Sequence, residues 1–175
     1  MTVRRARLED MTALLDGLDR RDDPRLVAED EQARYDLYGD ALRAAGIGTE
    51  RPVLEIVQRD PDLAMKEAAI VAHIDRVAKE LASRQDFSQW WQGQMSSLHV
   101  NDLPFAARRA AEWSLIKQIR EGEPVDPQLV SDATDWLQRL LVTETVVDDV
   151  LGVLASRGRT KRVRASAKRR LEGRK

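Results

Sequence analysis

The stretch Asp60-Pro61-Asp62-Leu63-Ala64-Met65-Lys66-Glu67-Ala68-Ala69-Ile70-Val71-Ala72-His73-Ile74-Asp75-Arg76-Val77-Ala78-Lys79-Glu80-Leu81 decides the fold class. Its apolar residues Leu63, Ile70, Val71, Ile74, Val77, Ala78 and Leu81 recur at spacings of three and four. That period places them on one face of an α-helix. An Asp-Pro pair stands in front. An Asp side chain accepts from the free N–H groups of a first helical turn, and Pro at the first helical position loses no hydrogen bond. Asp23-Pro24 and Asp126-Pro127 repeat the pair, so all three read as helix starts. Thr49-Glu50-Arg51-Pro52 and Asn101-Asp102-Leu103-Pro104 are looser versions, and Thr145-Val146-Val147-Asp148 resembles a capping box with Asp in place of Glu. Gly46, Gly48, Gly122 and Gly158 stand where periodic segments stop, as C-terminal caps do.

Outward from this stretch the same spacing continues. Leu8, Met11, Leu14, Leu15 and Leu18 make one stripe, and Leu26, Tyr35, Tyr38, Ala41, Leu42 and Ala45 another. Further stripes run over Val53–Val57, Phe87–Leu98, Phe105–Ile119, Leu129–Leu141, Val146–Leu154 and Val163–Leu171. Only residues 141–147 have the β-branched density of a strand. Their apolar positions keep helical spacing, so they are read as helix with a junction near Thr143. The expectation is an all-α protein of about nine helices, built as stacked helical hairpins or as an irregular helical bundle.

Three segments share a run of small residues: Lys66-Glu67-Ala68-Ala69-Ile70, Arg108-Arg109-Ala110-Ala111-Glu112 and Arg162-Val163-Arg164-Ala165-Ser166-Ala167. The first two follow Pro61 and Pro104 by a few residues. Small residues on one face let helices approach closely, and tandem helix pairs stack into solenoids. With Val163-Arg164-Ala165-Ser166-Ala167 as the closest match, residues 60–171 resemble HEAT-like repeats. The resemblance implies an α-solenoid that works through its surface.

The 175 residues carry 29 Lys+Arg against 30 Asp+Glu, and no Cys. The balance hides an asymmetry. Residues 157–175 hold ten Lys/Arg and one acid, a net +9, while residues 1–156 carry a net −10. The expected organisation is therefore an acidic helical body, 1–156, with a basic C-terminal helix, 157–175, packed on it or extending from it. A chain without Cys has no disulfide framework, thiol nucleophile or thiolate metal site. No apolar run reaches the roughly 20 residues of a membrane span. The charged N-terminus is read as lacking a secretory signal, and the expected location is the cytoplasm.

Motifs for chemistry fail one by one. His73 and His99 have neither the His-Glu-x-x-His nor the Glu-x-x-His context of helical metal sites. His73 is read as a hydrogen-bonded histidine at the edge of a core stripe, and His99 as a residue near a helix end. No calcium loop, phosphate-binding glycine loop, dinucleotide fingerprint or nucleophile elbow is found. No catalytic residue, metal site or cofactor is expected.

Two features remain. Phe87 to Asn101 carries no formal charge and contains Trp90, Trp91 and Gln94. Uncharged polar groups around aromatics are typical of an interface centre. The alternative is that both indoles pack at a corner between helix layers. The basic tail is the second feature. As a helix it has a narrow apolar stripe, Val163, Ala167 and Leu171, and it presents Arg162, Arg164, Lys168, Arg169 and Arg170. The leading expectation is a non-enzymatic helical module that binds another protein, either an acidic partner or a second copy. The alternatives are a nucleic-acid-binding protein acting through those basic residues, and an enzyme of unrecognised class with an interhelical pocket. Membrane adsorption is not expected, because the helix lacks a broad apolar face.

Overall fold

A computed structural model describes residues 3–95, 103–145 and 147–173. His99, Asn101, Asp102, Val146 and the last two basic residues, Arg174 and Lys175, lie outside the described residues. The described chain is all-helical, with no strand. Eleven α-helices follow in order: α1 (Val3–Gly17), α2 (Pro24–Glu29), α3 (Glu31–Ala45), α4 (Arg51–Gln58), α5 (Leu63–Glu80), α6 (Arg84–Trp90), α7 (Pro104–Arg120), α8 (Pro127–Asp132), α9 (Asp135–Glu144), α10 (Asp148–Arg157) and α11 (Lys161–Glu172). A π-helical turn, Trp91–Met95, continues α6.

Two of the expected helices are each divided, which accounts for the higher count. The stripe from Leu26 to Ala45 is broken at Asp30. This residue ends α2 and caps α3, its carboxylate accepting from Ala33 N–H. The stripe from Leu129 to Leu141 is broken at Thr134, whose hydroxyl accepts from Leu137 N–H and starts α9.

The chain divides into two units, Met1–Ala110 and Ala111–Lys175, with the boundary inside α7. In the first, α3 packs on α1, α4 and α5. Met11, Leu37, Leu42, Leu54, Val57, Ile70, Ile74, Val77 and Phe87 form its interior. In the second, α10 packs on α8, α9 and α11. Trp113, Ile116, Val130, Leu137, Leu151, Leu154, Val163 and Ala167 fill it. Trp113 and Trp136 meet edge to face at 5.7 Å.

Two of the Asp-Pro pairs cap as expected: Asp23 accepts from Arg25 N–H and Asp126 from Gln128 N–H. Asp60 does not. The helix starts at Leu63, capped by Asp62 through Met65 N–H. The Asp60 carboxylate is fully buried and accepts from Arg34 Nε at 3.1 Å and from Tyr38 Oη at 2.8 Å. A buried carboxylate with these partners is satisfied, and it ties the α4–α5 connection to α3. Thr145 also differs from expectation. Val147 is the N-cap of α10 and makes no side-chain cap bond, while the Thr145 hydroxyl accepts from Val147 N–H.

Candidate functional site

The first candidate is the polar-aromatic segment. Ser83 caps α6 through Asp86 N–H, and the helix then places Phe87 and Trp90 inward, three residues apart. Trp90 is only 6% exposed. Its ring lies 5.6 Å from both the Phe87 and His73 rings. The indole Nε1–H donates to Glu50 Oε1 at 2.5 Å. Trp91 is half-buried, 6.3 Å from Trp90. Gln94 is also half-buried, and its Nε2 donates to the Gly48 carbonyl at 2.9 Å. The two indoles thus part company. Trp90 belongs to the interior, and only Trp91, with Gln92 and Gly93 beside it, borders solvent.

Glu50 explains why the interior takes an indole here. It occupies the N-cap of α4 but makes no cap bond. Its carboxylate turns inward instead and is fully buried. Oε1 takes Trp90 and His73 Nε2, the latter at 3.2 Å. On the far side of the imidazole, Arg76 Nη2 lies 3.1 Å from His73 Nδ1. A guanidinium only donates, so Nδ1 accepts and the ring proton sits on Nε2, facing Glu50. Burial pushes the Glu50 carboxyl up, but the hydrogen bonds from His73 and Trp90 outweigh it and hold the group down at about 2. Sequence reading places Glu50 in a helix-start signal, Thr49-Glu50-Arg51-Pro52, and not in the interior. Its signal is a Glu at a position where the shorter Asp, Ser or Thr serves a cap better.

Beside His73 runs an open groove of about 460 Å³ between α3 and α5, lined by Tyr35, Asp36, Arg43, Ala69, Ala72 and Arg76. Among the described residues Asp36 is the one acid in its lining. Among the described residues no group of three metal-ligating side chains comes together. No described helix is long and apolar enough to cross a membrane.

The second candidate is α11. Thr160 caps it through Val163 N–H, and Val163 and Ala167 pack inward. The approach to α10 is close because Gly158 has no side chain. A Cβ there would lie 2.5 Å from the Leu154 carbonyl oxygen and 2.8 Å from Val163. The five basic candidates fall into two sets. Arg164 donates to the Gly158 carbonyl and Arg170 to the Val142 carbonyl, so both fasten α11 to its own unit. Both ends of this fastening are carbonyls left over at helix ends. Arg162, Lys168 and Arg169 are exposed, and Lys161 joins them on the outward face.

No family model, curated protein or solved structure matches this chain.

Proposed function

We propose that this chain is a non-enzymatic helical interaction module that docks an acidic protein through the outward face of α11. One observation carries the reading. Arg5, Arg20, Arg34, Arg51, Arg59, Arg76, Arg109, Arg120 and Arg139 each reach a carboxylate. Among the described residues no carboxylate meets Lys161, Arg162, Lys168 or Arg169, and Arg169 turns only to Ser166; unlike scattered cations such as Arg21, Arg25 and Lys79, these four share one helix face. Four cations gathered on one turn-to-turn face raise the local potential and steer an acidic partner. Trp91 supplies a second, smaller contact point in this proposal. A HEAT-like character belongs to the same reading, supported by the small-residue runs in α5, α7 and α11. So does a cytoplasmic setting, supported by a chain free of Cys.

The same face suits nucleic-acid phosphates, but the net −10 of residues 1–156 repels a long polyanion. The test is affinity capture by the intact chain and by a variant with Lys161→Glu, Arg162→Glu, Lys168→Glu and Arg169→Glu, each with and without nuclease. The expected result is a set of acidic proteins held by the intact chain, lost with the variant and indifferent to nuclease. Capture that vanishes on nuclease treatment, or that the variant retains, overturns the proposal.

A further inference from the structure

We infer that the acidic surface bound is a local one on a second copy of this chain, with the outward face of α11 seated on an acid-rimmed groove of the neighbouring copy. The inference rests on the docking role proposed for α11.

The groove lies in the same unit as α11. It is an open cleft of about 800 Å³ formed by the end of α7, the following loop, α8 and α10. Ile119, Val125, Val130 and Val150 supply its apolar lining, with Glu123 and Asp149 in its wall. No base stands in its described lining beside these acids, of which Asp149 is the later in sequence. Eight residues later begins the segment with ten bases and one acid.

These opposite charges stand close in sequence, yet among the described residues Lys161, Arg162, Lys168 and Arg169 pair with no acid of the groove. No ion pair among the described residues joins α11 to a carboxylate: its inward face is Val163 and Ala167, Arg164 and Arg170 turn to carbonyls, and Lys161, Arg162, Lys168 and Arg169 point away. Cations that meet no carboxylate among the described residues of one copy can meet the groove's acids in a second. The apolar lining suits such a face as well. Lys and Arg lay aliphatic stems over apolar surface while their charged heads reach outward, so an α11 face covers the valines as its heads reach Glu123 and Asp149. The two patches differ, so the contact is heterologous. Each added copy leaves one groove and one α11 open, and assembly runs head to tail beyond a dimer unless a ring closes.

The test is sedimentation of the full chain over a range of concentrations and salt. At about 20 mM salt the weight-average mass rises with concentration past that of two chains, and at about 0.5 M it returns to that of one, since the screening length shrinks to a few ångströms. Two variants sharpen the test, both altered at exposed positions: the fourfold Glu substitution in α11, and Glu123→Lys with Asp149→Lys. Each alone loses self-association by at least about tenfold in affinity, and mixing them restores it, because each then offers the other a complementary patch. A chain that sediments as one copy at every concentration in low salt overturns the inference, as does a mixture that stays monomeric. If the chain is monomeric while α11 reversal still abolishes capture of acidic proteins, the self-partner fails and the docking role stands.

Discussion

Trp90 Nε1–H donates to Glu50 Oε1 at 2.5 Å, and neither side chain is open to solvent. The bond joins the start of α4 to the end of α6 across 40 residues of sequence. It turns a segment with the composition of an interface into part of a core. The neighbouring indole, Trp91, has no such bond and borders the surface.

Truncating the two indoles therefore separates them. Trp90→Ala removes a packed ring and a donor, and is expected to cost about 3–5 kcal/mol. Trp90→Phe keeps most of the ring and strips Glu50 of one donor, at about 1–3 kcal/mol. Trp91→Ala, at a half-exposed site, costs less than either. Urea unfolding at matched m-values measures all three, and equal costs for Trp90→Ala and Trp91→Ala would contradict the assignment.

Acid reads the same cluster. The folded Glu50 carboxyl titrates at about 2 against an ordinary 4.5, so unfolding takes up a proton in this window. The contribution is full above about 4.5 and is lost as pH falls toward about 2. It amounts to about 3 kcal/mol for a fully buried group. Glu50→Gln gives a protein less stable at pH 7 whose stability changes less between these pH values. Unfolding curves at stepped pH decide it, and an unchanged acid slope in the variant counts against it.

Legibility in the sequence followed the range of each interaction. Asp23 and Asp126 are used two residues away, and a dipeptide announces them. Asp60 carries the same dipeptide, but its partners Arg34 and Tyr38 lie 26 and 22 residues back. Only the packing of α3 against α5 reveals that. The breaks at Asp30 and Thr134 were hidden because apolar spacing runs on across a cap when both flanking helices face one core. The sign and place of the basic charge were plain in the sequence. Which cations fasten α11 and which stand free was not, since Arg164 and Arg170 find carbonyls whose position depends on the folded turns at Gly158 and Val142.

Alkali tests the second buried cluster. Burial and then the bond to Asp60 push the Tyr38 hydroxyl far above its ordinary value of 10. Above that pH the unfolded chain releases the proton while the folded chain keeps it, so stability falls as pH rises. Tyr38→Phe cannot ionise. It is expected to be less stable at pH 7 by about 1–3 kcal/mol, because Asp60 loses a donor, and to show a shallower decline above pH 10. Chemical unfolding from neutral to alkaline pH provides the comparison. A variant that declines as steeply as the parent would show that another group governs the alkaline limb.

Two glycines of the second unit carry opposite expectations for the same substitution. Gly152 lies inside α10, and an added Cβ there meets nothing within 4 Å. Ala favours the helix over Gly by up to about 1 kcal/mol, so Gly152→Ala raises the unfolding midpoint. Gly158 ends α10 at a φ of −55°, which any residue adopts. Its constraint is space, because the Leu154 carbonyl oxygen is backbone and cannot step aside from a Cβ at 2.5 Å. Gly158→Ala must part α11 from α10 and weaken the packing of Val163 and Ala167, and a loss of about 2 kcal/mol or more is expected from such overpacking. Since Arg164 donates to the Gly158 carbonyl, the same shift loosens the end of the helix that bears the cations. Amide exchange across residues 161–172 should speed in Gly158→Ala and stay unchanged in Gly152→Ala. Equal stability of the two variants would show that the close approach at Gly158 does not hold α11 in place.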